Sequence, residues 1–207
     1  MIDLYAAGTS NGIRARIALE ECGLPYTLHP IDLAKNEHKT PEYLAMNPNG
    51  QIPVIIDSDG PAGNPLTLSQ SMAIIVYCAE KSGKFIPTDP VARPAFSQAL
   101  MSAATDMGPT LGAIFGIVRS PDPHRPTAEM FEGRWKGYLK VWDTTLGSRR
   151  YAAGNEVTIA DFALYGIVAR TKSVLPAICE GVPNVDRWLA EIGARPAVQR
   201  AMKVHAG

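Results

Sequence analysis

The stretch "NPNGQIPVIID", residues 47–57, decides the fold of this 207-residue chain. It joins a turn rich in asparagine, proline and glycine to an apolar run that opens at Ile52-Pro53, and it predicts a strand over 52–57. A second short run, "LTL" at 66–68, follows another Gly/Pro/Asn turn. The two runs together predict a β-hairpin.

The segments around this hairpin alternate between strand and helix patterns. A Thr-Pro pair at 40–41 supplies an N-cap and a first helical residue, and Gly23 and Gly83 supply helix ends. We therefore expect strands at 1–5 and 26–32 and helices at 13–22, 40–44 and 69–83. The resulting order, β-α-β-α-β-β-α, is that of a thioredoxin-like domain, which we place at residues 1–83.

Strand patterns end after residue 87. Residues 127–146 carry apolar side chains at spacings of three and four, as on one face of a helix. Thr158 and Asp161 have the spacing of a capping box that starts a helix over 157–169. We expect an all-helical domain at residues 90–207, so that the predicted class is α/β followed by all-α.

Composition excludes several classes of partner. Twenty basic residues balance twenty acidic ones, which argues against a nucleic-acid-binding protein or an anionic-membrane surface. No apolar stretch reaches the ~18–20 residues of a membrane helix, and no signal peptide is visible. The three cysteines lie far apart, without the spacing of a zinc or redox motif. We expect a cytoplasmic protein with no metal.

Two positions in the first domain are suited to binding a ligand. A cis bond at Ile52-Pro53, as the thioredoxin-like pattern predicts, leaves the Ile52 backbone N–H and C=O unpaired and available. The helix start at Gln70-Ser71 exposes free N–H groups and a partial positive charge, which attract carboxylates. Ser71 can cap its own helix there or share its hydroxyl with an anion.

The turn after the first strand, within "AAGTSNGIRAR" at 6–16, is where this fold normally carries its reactive sulfur. Here it holds Thr9, Ser10 and Asn11, but no cysteine and no histidine. The two arginines that follow, Arg14 and Arg16, we expect to pair along the helix with neighbours such as Glu20.

Four segments, at 4–21, 47–57, 66–81 and 157–166, together resemble the glutathione transferase family, and the resemblance spans nearly the whole chain. The Thr-x-Asn-Gly turn is most similar to the bacterial Nu class. The resemblance implies a thiol that arrives with bound glutathione, as co-substrate. It also implies a homodimer.

The resemblance also implies which residues hold glutathione. Gln70 and Ser71 would bind the γ-glutamyl carboxylate, and Ile52, before Pro53, would pair its backbone with the cysteinyl moiety. His38 takes the place of a residue that reaches the glycyl carboxylate, and Lys35 and Lys39 are alternatives for that role.

Two residues of the helical domain complete the implied site. Asp106 would reach the γ-glutamyl amino group of the neighbouring subunit, and Arg134 would approach the ligand from the helical domain.

The catalytic task is to stabilise the glutathione thiolate, because a free thiol with pKa ~8.5 is only a few per cent ionised at neutral pH. Asn11 is the first candidate and Thr9 the second, together with the backbone N–H groups at Ser10 and Asn11. The Ser10 hydroxyl and Tyr5 are rivals, since other classes of the family use a serine or a tyrosine here.

Three functions follow from the resemblance. The first is glutathione-dependent disulfide reduction, and the second is transfer of glutathione to an electrophilic organic substrate. The third is a non-catalytic module that only binds glutathione. The Thr9/Asn11 turn favours the first, with a small disulfide as the second substrate.

Overall fold

The first part of the chain folds as one four-stranded mixed sheet. A computed structural model describes residues 1–203. Strand β2 pairs parallel to β1, β3 pairs antiparallel to β1, and β4 pairs antiparallel to β3, in the order β2-β1-β3-β4. The strands are β1 (Ile2–Ala6), β2 (Tyr26–Pro30), β3 (Val54–Asp57) and β4 (Leu66–Ser69). The predicted hairpin and the thioredoxin-like order are confirmed.

Three helices alternate with these strands, as predicted. They are α1 (Ser10–Cys22), α2 (Pro41–Met46) and α3 (Ser71–Ser82). Helix α1 begins three residues before the predicted start at residue 13, because Thr9 is its N-cap and accepts a hydrogen bond from the Gly12 N–H. Thr40 caps α2 in the same way through the Tyr43 N–H. Both helix starts are therefore fixed by a threonine hydroxyl.

Helix α1 is buried along nearly its whole length. It packs against α3 and against α9 (Pro196–Met202). Arg195, at the start of α9, makes two hydrogen bonds of 2.6 Å to the Glu21 carboxylate, and Arg200 Nε lies 2.8 Å from Glu20. These ion pairs hold the last described helix on the first domain.

The remaining helices form the second part of the chain. They are α4 (Arg93–Met101), α5 (Gly108–Val118), α6 (Arg125–Ser148), α7 (Ile159–Val174) and α8 (Pro183–Gly193), with a π-helical segment at Ser102–Met107 between α4 and α5. The capping box of Thr158 and Asp161 at the start of α7 is confirmed. Between residues 90 and 203 the structure contains no strand, which agrees with the predicted helical class.

The chain divides into two compact units, Ile86–Ala194 and the rest. Residues 195–203 belong to the first unit, so the predicted helical domain at 90–207 differs from the observed second unit at its C-terminal end. The ion pairs between α9 and α1 are the physical reason. Residues 204–207 of that prediction lie outside the described part. Within residues 1–203, no helix has both the length and the apolar character needed to cross a membrane.

Gly12 allows the loop after β1 to turn tightly into α1. A Cβ at this position would lie 2.1 Å from the Ala7 carbonyl oxygen, which is a backbone atom. We expect Gly12→Ala to lower the free energy of unfolding by about 1–3 kcal/mol, because the backbone must shift to make room. Urea denaturation measures this difference.

Gly137→Ala is the matched control for this prediction. Gly137 lies in the exposed interior of α6, and a Cβ there would meet nothing within 4 Å. Alanine should stabilise this helix by about 0.5–1 kcal/mol, since it restricts the unfolded chain. A Gly12→Ala protein as stable as the wild type would contradict the close approach to Ala7.

Candidate functional site

A small polar pocket opens in the first unit where three chain segments converge. These segments are the first turn of α1, the turn before β3 and the start of α3. The lining residues are Asn11, Asn47, Gln51, Ile52, Pro53, Gln70 and Ser71. The pocket is small and open to solvent, and the space between its walls, open solvent included, is about 230 Å³. It therefore suits one part of a larger, extended ligand.

The first wall of the pocket is the N-terminus of α1. Thr9 and Ser10 are half-buried, and the Asn11 side chain is exposed. Thr9 Oγ1 already accepts the Gly12 N–H, at 3.3 Å, but its own O–H is free to donate. The amides of Ser10 and Asn11 belong to the first turn, where N–H groups have no partner within the helix. Asn11 is the residue of this turn whose side chain lines the pocket.

The second wall is the turn that carries residues 47–51. Asn47 is buried, and its Nδ2 donates to the Gln51 carbonyl at 2.7 Å. The Tyr43 hydroxyl donates to the same carbonyl at 3.0 Å. Two donors on one carbonyl fix the peptide that precedes Ile52 and so determine which way the Ile52 backbone faces.

The peptide bond between Ile52 and Pro53 is cis, as predicted. Within residues 1–203, no backbone–backbone hydrogen bond involves the N–H or C=O of Ile52. These two groups lie beside the pocket and are free to pair with an extended peptide ligand, in the manner of an added strand.

The third wall is the N-terminus of α3. Gln70 precedes the helix with φ 70° and ψ 107°, a conformation that non-glycine residues rarely adopt. Such outliers persist where the surrounding structure requires them and point to functional sites. Ser71 follows at the first helical position and is buried. The strained residue thus brings the Ser71 hydroxyl and the free N–H groups of α3 to the pocket.

Arg14 lies beneath this pocket, and the prediction that it pairs along the helix with neighbours such as Glu20 holds only in part. It is 6% exposed, and its Nη2 does donate to a residue of the same helix, at Asn11 Oδ1. Its Nε, however, donates to Ser71 Oγ of α3 at 2.9 Å. Glu20 contacts Tyr26 and Arg200. The sequence did contain one signal for the contact between Asn11 and Arg14, because residues three positions apart lie on the same face of a helix.

No thiol of the protein takes part in the pocket. Cys22, Cys78 and Cys179 are all buried and unpaired with one another. Burial raises the pKa of each thiol above its ordinary value. Since the thiolate is the reactive form, these cysteines are poor nucleophiles. Any sulfur chemistry at the pocket requires a thiol that comes with the ligand.

Several predicted site residues of the first unit do not line the pocket. His38 lies in a short 3₁₀ turn, and its Nδ1 is buried without a hydrogen-bond partner among the described residues. The Lys39 ammonium donates to the Gly50 carbonyl at 2.9 Å, and Lys35 pairs with Asp32 at 3.2 Å. Both lysines are therefore occupied by neighbours in the protein.

Tyr5, the rival to Asn11, stacks on His29 across the β1–β2 pair, with ring centroids 4.5 Å apart. Its side chain is not among those that line the pocket. Asp106 lies in the π-helical segment, and the Arg134 guanidinium lies over the Phe131 ring at 5.3 Å. These last two belong to the second unit.

The electrostatics of the pocket favour an anion. Its lining combines amide side chains, a hydroxyl, and two helix N-termini with their free N–H groups. The buried Arg14 adds a positive charge beneath it, and no carboxylate is among the lining residues. Within residues 1–203, no cluster of three or more histidine, cysteine or acidic side chains is arranged to hold a metal ion. The arrangement suits a peptide-like ligand that carries a carboxylate.

Comparisons with known proteins show which family this chain resembles. Disulfide-bond oxidoreductase YfcG from Escherichia coli (strain K12) is 34% identical over 205 residues, which cover 98% of this chain and 94% of that protein. Disulfide-bond oxidoreductase YghU of the same organism is 30% identical over 220 residues, which cover 99% of this chain and 75% of that protein.

A solved structure is equally similar. The glutathione transferase family member from Pseudomonas fluorescens pf-5, with two glutathione bound, superposes with a TM-score of 0.90 at 34% identity. The match covers 98% of this chain and 92% of that one. The family models of the glutathione S-transferase N-terminal and C-terminal domains match residues 10–81 and 107–196. The chain belongs to the glutathione transferase family.

Proposed function

We propose that this protein is a glutathione-dependent enzyme that reduces small disulfides, using bound glutathione as the thiol. The observation that carries the proposal is a donor-lined, anion-attracting pocket that has no cysteine of its own. The relatives named disulfide-bond oxidoreductases, at 34% and 30% identity, support disulfides as the second substrate.

The N-terminal domain, residues 1–83, binds glutathione in this proposal. Gln70 and Ser71 hold the γ-glutamyl carboxylate at the start of α3, where free N–H groups and the helix dipole favour an anion. Ile52, before Pro53, pairs its free backbone groups with the cysteinyl residue of the tripeptide. That residue then points its sulfur toward the first turn of α1.

The remaining predicted contacts complete the proposed site. His38 is assigned to the glycyl carboxylate, Asp106 to the γ-glutamyl amino group of glutathione in a second subunit, and Arg134 to the ligand from the helical domain.

The reaction needs two molecules of glutathione. The first thiolate attacks one sulfur of the disulfide, forms a mixed disulfide and releases the other sulfur as a thiolate, which takes up a proton. A second glutathione thiolate then attacks the glutathione sulfur of the mixed disulfide, giving glutathione disulfide and the second free thiol. Both relevant species occur in relatives. The P. fluorescens structure holds two glutathione molecules, and a structure from Pseudomonas putida holds one glutathione disulfide per subunit.

In this proposal the protein accelerates the reaction by stabilising the thiolate of bound glutathione. Asn11 Nδ2, the Thr9 hydroxyl and the N–H groups of Ser10 and Asn11 are the donors available in the first turn of α1. Hydrogen bonds to the charged form, at a helix N-terminus, lower the pKa of a thiol. The Ser10 hydroxyl stays a rival donor in this turn.

Conjugation of glutathione to an electrophile is the alternative, because it uses the same thiolate. Parallel assays with a small disulfide and with an aryl halide separate the two reactions. We expect the higher kcat/KM with the disulfide. A protein that acts only on the aryl halide would be a conjugating transferase, and one that binds a glutathione column but turns over neither substrate would be a non-catalytic module.

We also propose that the protein is a cytoplasmic homodimer. The family resemblance supports this state, and the assignment of Asp106 to a second subunit depends on it. Light scattering at micromolar concentration should report twice the mass of the 207-residue chain. A monomeric mass would contradict the homodimer and the assignment of Asp106 to glutathione in a second subunit.

The protein's own cysteines should be dispensable for activity. We expect Cys22→Ala, Cys78→Ala and Cys179→Ala each to keep kcat/KM for the disulfide within about twofold of the wild type, because none lies in the pocket. The assay is run below the unfolding temperature of each variant, since each replaces a buried side chain. A large loss in one variant at unchanged fold would place a protein thiol in the reaction.

A further inference from the structure

Arg14 joins the two helix N-termini that form the pocket. It lies in the first turns of α1, and its guanidinium contacts Asn11 of the same helix and Ser71 of α3. Both partners line the pocket, whereas Arg14 lies behind them and is buried. One side chain therefore contacts both the polar group assigned to the cysteinyl thiolate and the polar group assigned to the γ-glutamyl carboxylate.

The chemistry of the guanidinium determines what its partners can do. Arginine has five N–H donors and no acceptor, so each partner must present an oxygen to it. Asn11 turns Oδ1 toward Arg14, which leaves the Nδ2 amide group to face away from it. Ser71 receives the Arg14 Nε hydrogen on its oxygen, which leaves the hydroxyl proton to be donated elsewhere.

Arg14 also differs from Arg195 and Arg200 of the first unit in its charge environment. Arg195 and Arg200 pair with Glu21 and Glu20. No carboxylate of the described residues lies within ion-pair distance of Arg14, and its Nη1 is buried without a hydrogen-bond partner there. Burial lowers the pKa of Arg14 to about 10, so the group still carries its charge at neutral pH. A buried cation without a counter-ion destabilises a protein, which argues that it is kept for the ligand.

We propose that Arg14 is a positioning residue that makes Asn11 and Ser71 act as hydrogen-bond donors toward bound glutathione. Asn11 then presents N–H to the thiolate, and Ser71 presents O–H to the γ-glutamyl carboxylate. Without Arg14, each side chain is free to rotate and offer an oxygen to an anion instead. The buried charge adds a favourable potential for both anionic groups. This inference rests on the proposed function of the pocket.

The test compares Arg14→Met and Arg14→Lys with Arg195→Met as the matched control. Arg195 also donates two side-chain hydrogen bonds in the same unit, but to Glu21. Three quantities are measured for each protein: the thiol pKa of bound glutathione by ultraviolet titration, the Kd of S-methylglutathione, and the urea midpoint without ligand. S-methylglutathione has no ionisable thiol, so its Kd reports the binding of the γ-glutamyl carboxylate separately from the ionisation of the thiol.

For Arg14→Met we expect the bound thiol pKa to rise by about 0.5–1 unit and the Kd of S-methylglutathione to rise about three- to tenfold. The urea midpoint should not fall, because an unpaired buried charge is removed. Arg14→Lys keeps the charge but lacks the branched guanidinium that reaches both Asn11 and Ser71. The pKa of the bound thiol in this variant should therefore lie between those of the wild type and Arg14→Met. Arg195→Met should lower the midpoint and leave both ligand readouts unchanged.

The outcomes separate this inference from the proposed function. A wild-type protein that does not bind glutathione overturns both. If the wild type binds glutathione and Arg14→Met has the same thiol pKa and the same affinity for S-methylglutathione, only the role of Arg14 is overturned. Should Arg14→Met fail to fold, Arg14→Lys decides, since a wild-type thiol pKa in that variant contradicts the positioning role.

Discussion

Asn11→Ala should slow glutathione-dependent disulfide reduction by about ten- to a hundredfold at neutral pH. Asn11 lines the pocket in the first turn of α1, and its Oδ1 is held by Arg14, so its Nδ2 is the donor left for the thiolate. A hydrogen bond to a charged acceptor is worth ~1.5–3 kcal/mol, which corresponds to ~1–2 units in the pKa of the bound thiol. The fraction of thiolate at neutral pH falls accordingly.

The measurement is the pH profile of kcat/KM for the disulfide. Loss of Asn11 should move the rising limb of that profile to higher pH, so that activity recovers in alkaline buffer. Asn64→Ala, an exposed turn residue of the same unit, is the matched control and should leave the profile unchanged. Thr9→Ala should give a smaller shift, because the Thr9 oxygen also caps α1. If Tyr5→Phe or Ser10→Ala moved the pH profile instead, a tyrosine or a serine would stabilise the thiolate, as in other classes of the glutathione transferase family.

Ser71→Ala should weaken glutathione binding by about ten- to a hundredfold and leave kcat at saturating glutathione nearly unchanged. The hydroxyl is assigned to the γ-glutamyl carboxylate, a charged acceptor whose hydrogen bond is worth ~1.5–3 kcal/mol. This group is remote from the reacting sulfur and is bound equally in the ground and transition states, so its loss raises KM.

Calorimetry with S-methylglutathione measures the loss directly. Ser82→Ala is the matched control, because Ser82 lies at the other end of α3 and its hydroxyl donates to the Ala79 carbonyl. Ser71→Ala also leaves Arg14 Nε without its acceptor, so the unfolding midpoint should fall slightly in this variant. If Ser71→Ala bound S-methylglutathione with wild-type affinity, the γ-glutamyl carboxylate would not bind at the start of α3.

Local patterns in the sequence were enough to predict the order of elements and to indicate candidate positions for a site. The hairpin around residues 52–68, the Thr40 cap and the capping box at Thr158 and Asp161 all depend on neighbours within a few positions. The cis bond at Ile52-Pro53 followed from the order of strands and helices. Asn11, Ile52, Pro53, Gln70 and Ser71 were predicted as site residues, and the structure brings them to one pocket.

The rest depends on contacts that form only in the folded chain. Arg14 meets Ser71 across 57 positions, and periodicity along α1 shows only that Arg14 lies on a helix. Asn47 and Gln51 line the pocket because two donors lock the carbonyl of Gln51, a feature of the folded turn. The return of α9 to α1 rests on the ion pair between Glu21 and Arg195, 174 positions apart. Of the contacts of Arg14, only the one to Asn11 has a local signature, in the spacing of the two residues on α1.

The measurement that tests the account most directly is an ultraviolet titration of glutathione bound to the wild-type protein. The central claim is that the reactive sulfur belongs to bound glutathione and that the first turn of α1 holds it as a thiolate. The account predicts a thiolate signal that appears with a pKa at least about one unit below the ~8.5 of a free thiol. Bound glutathione that titrates like free glutathione would contradict it.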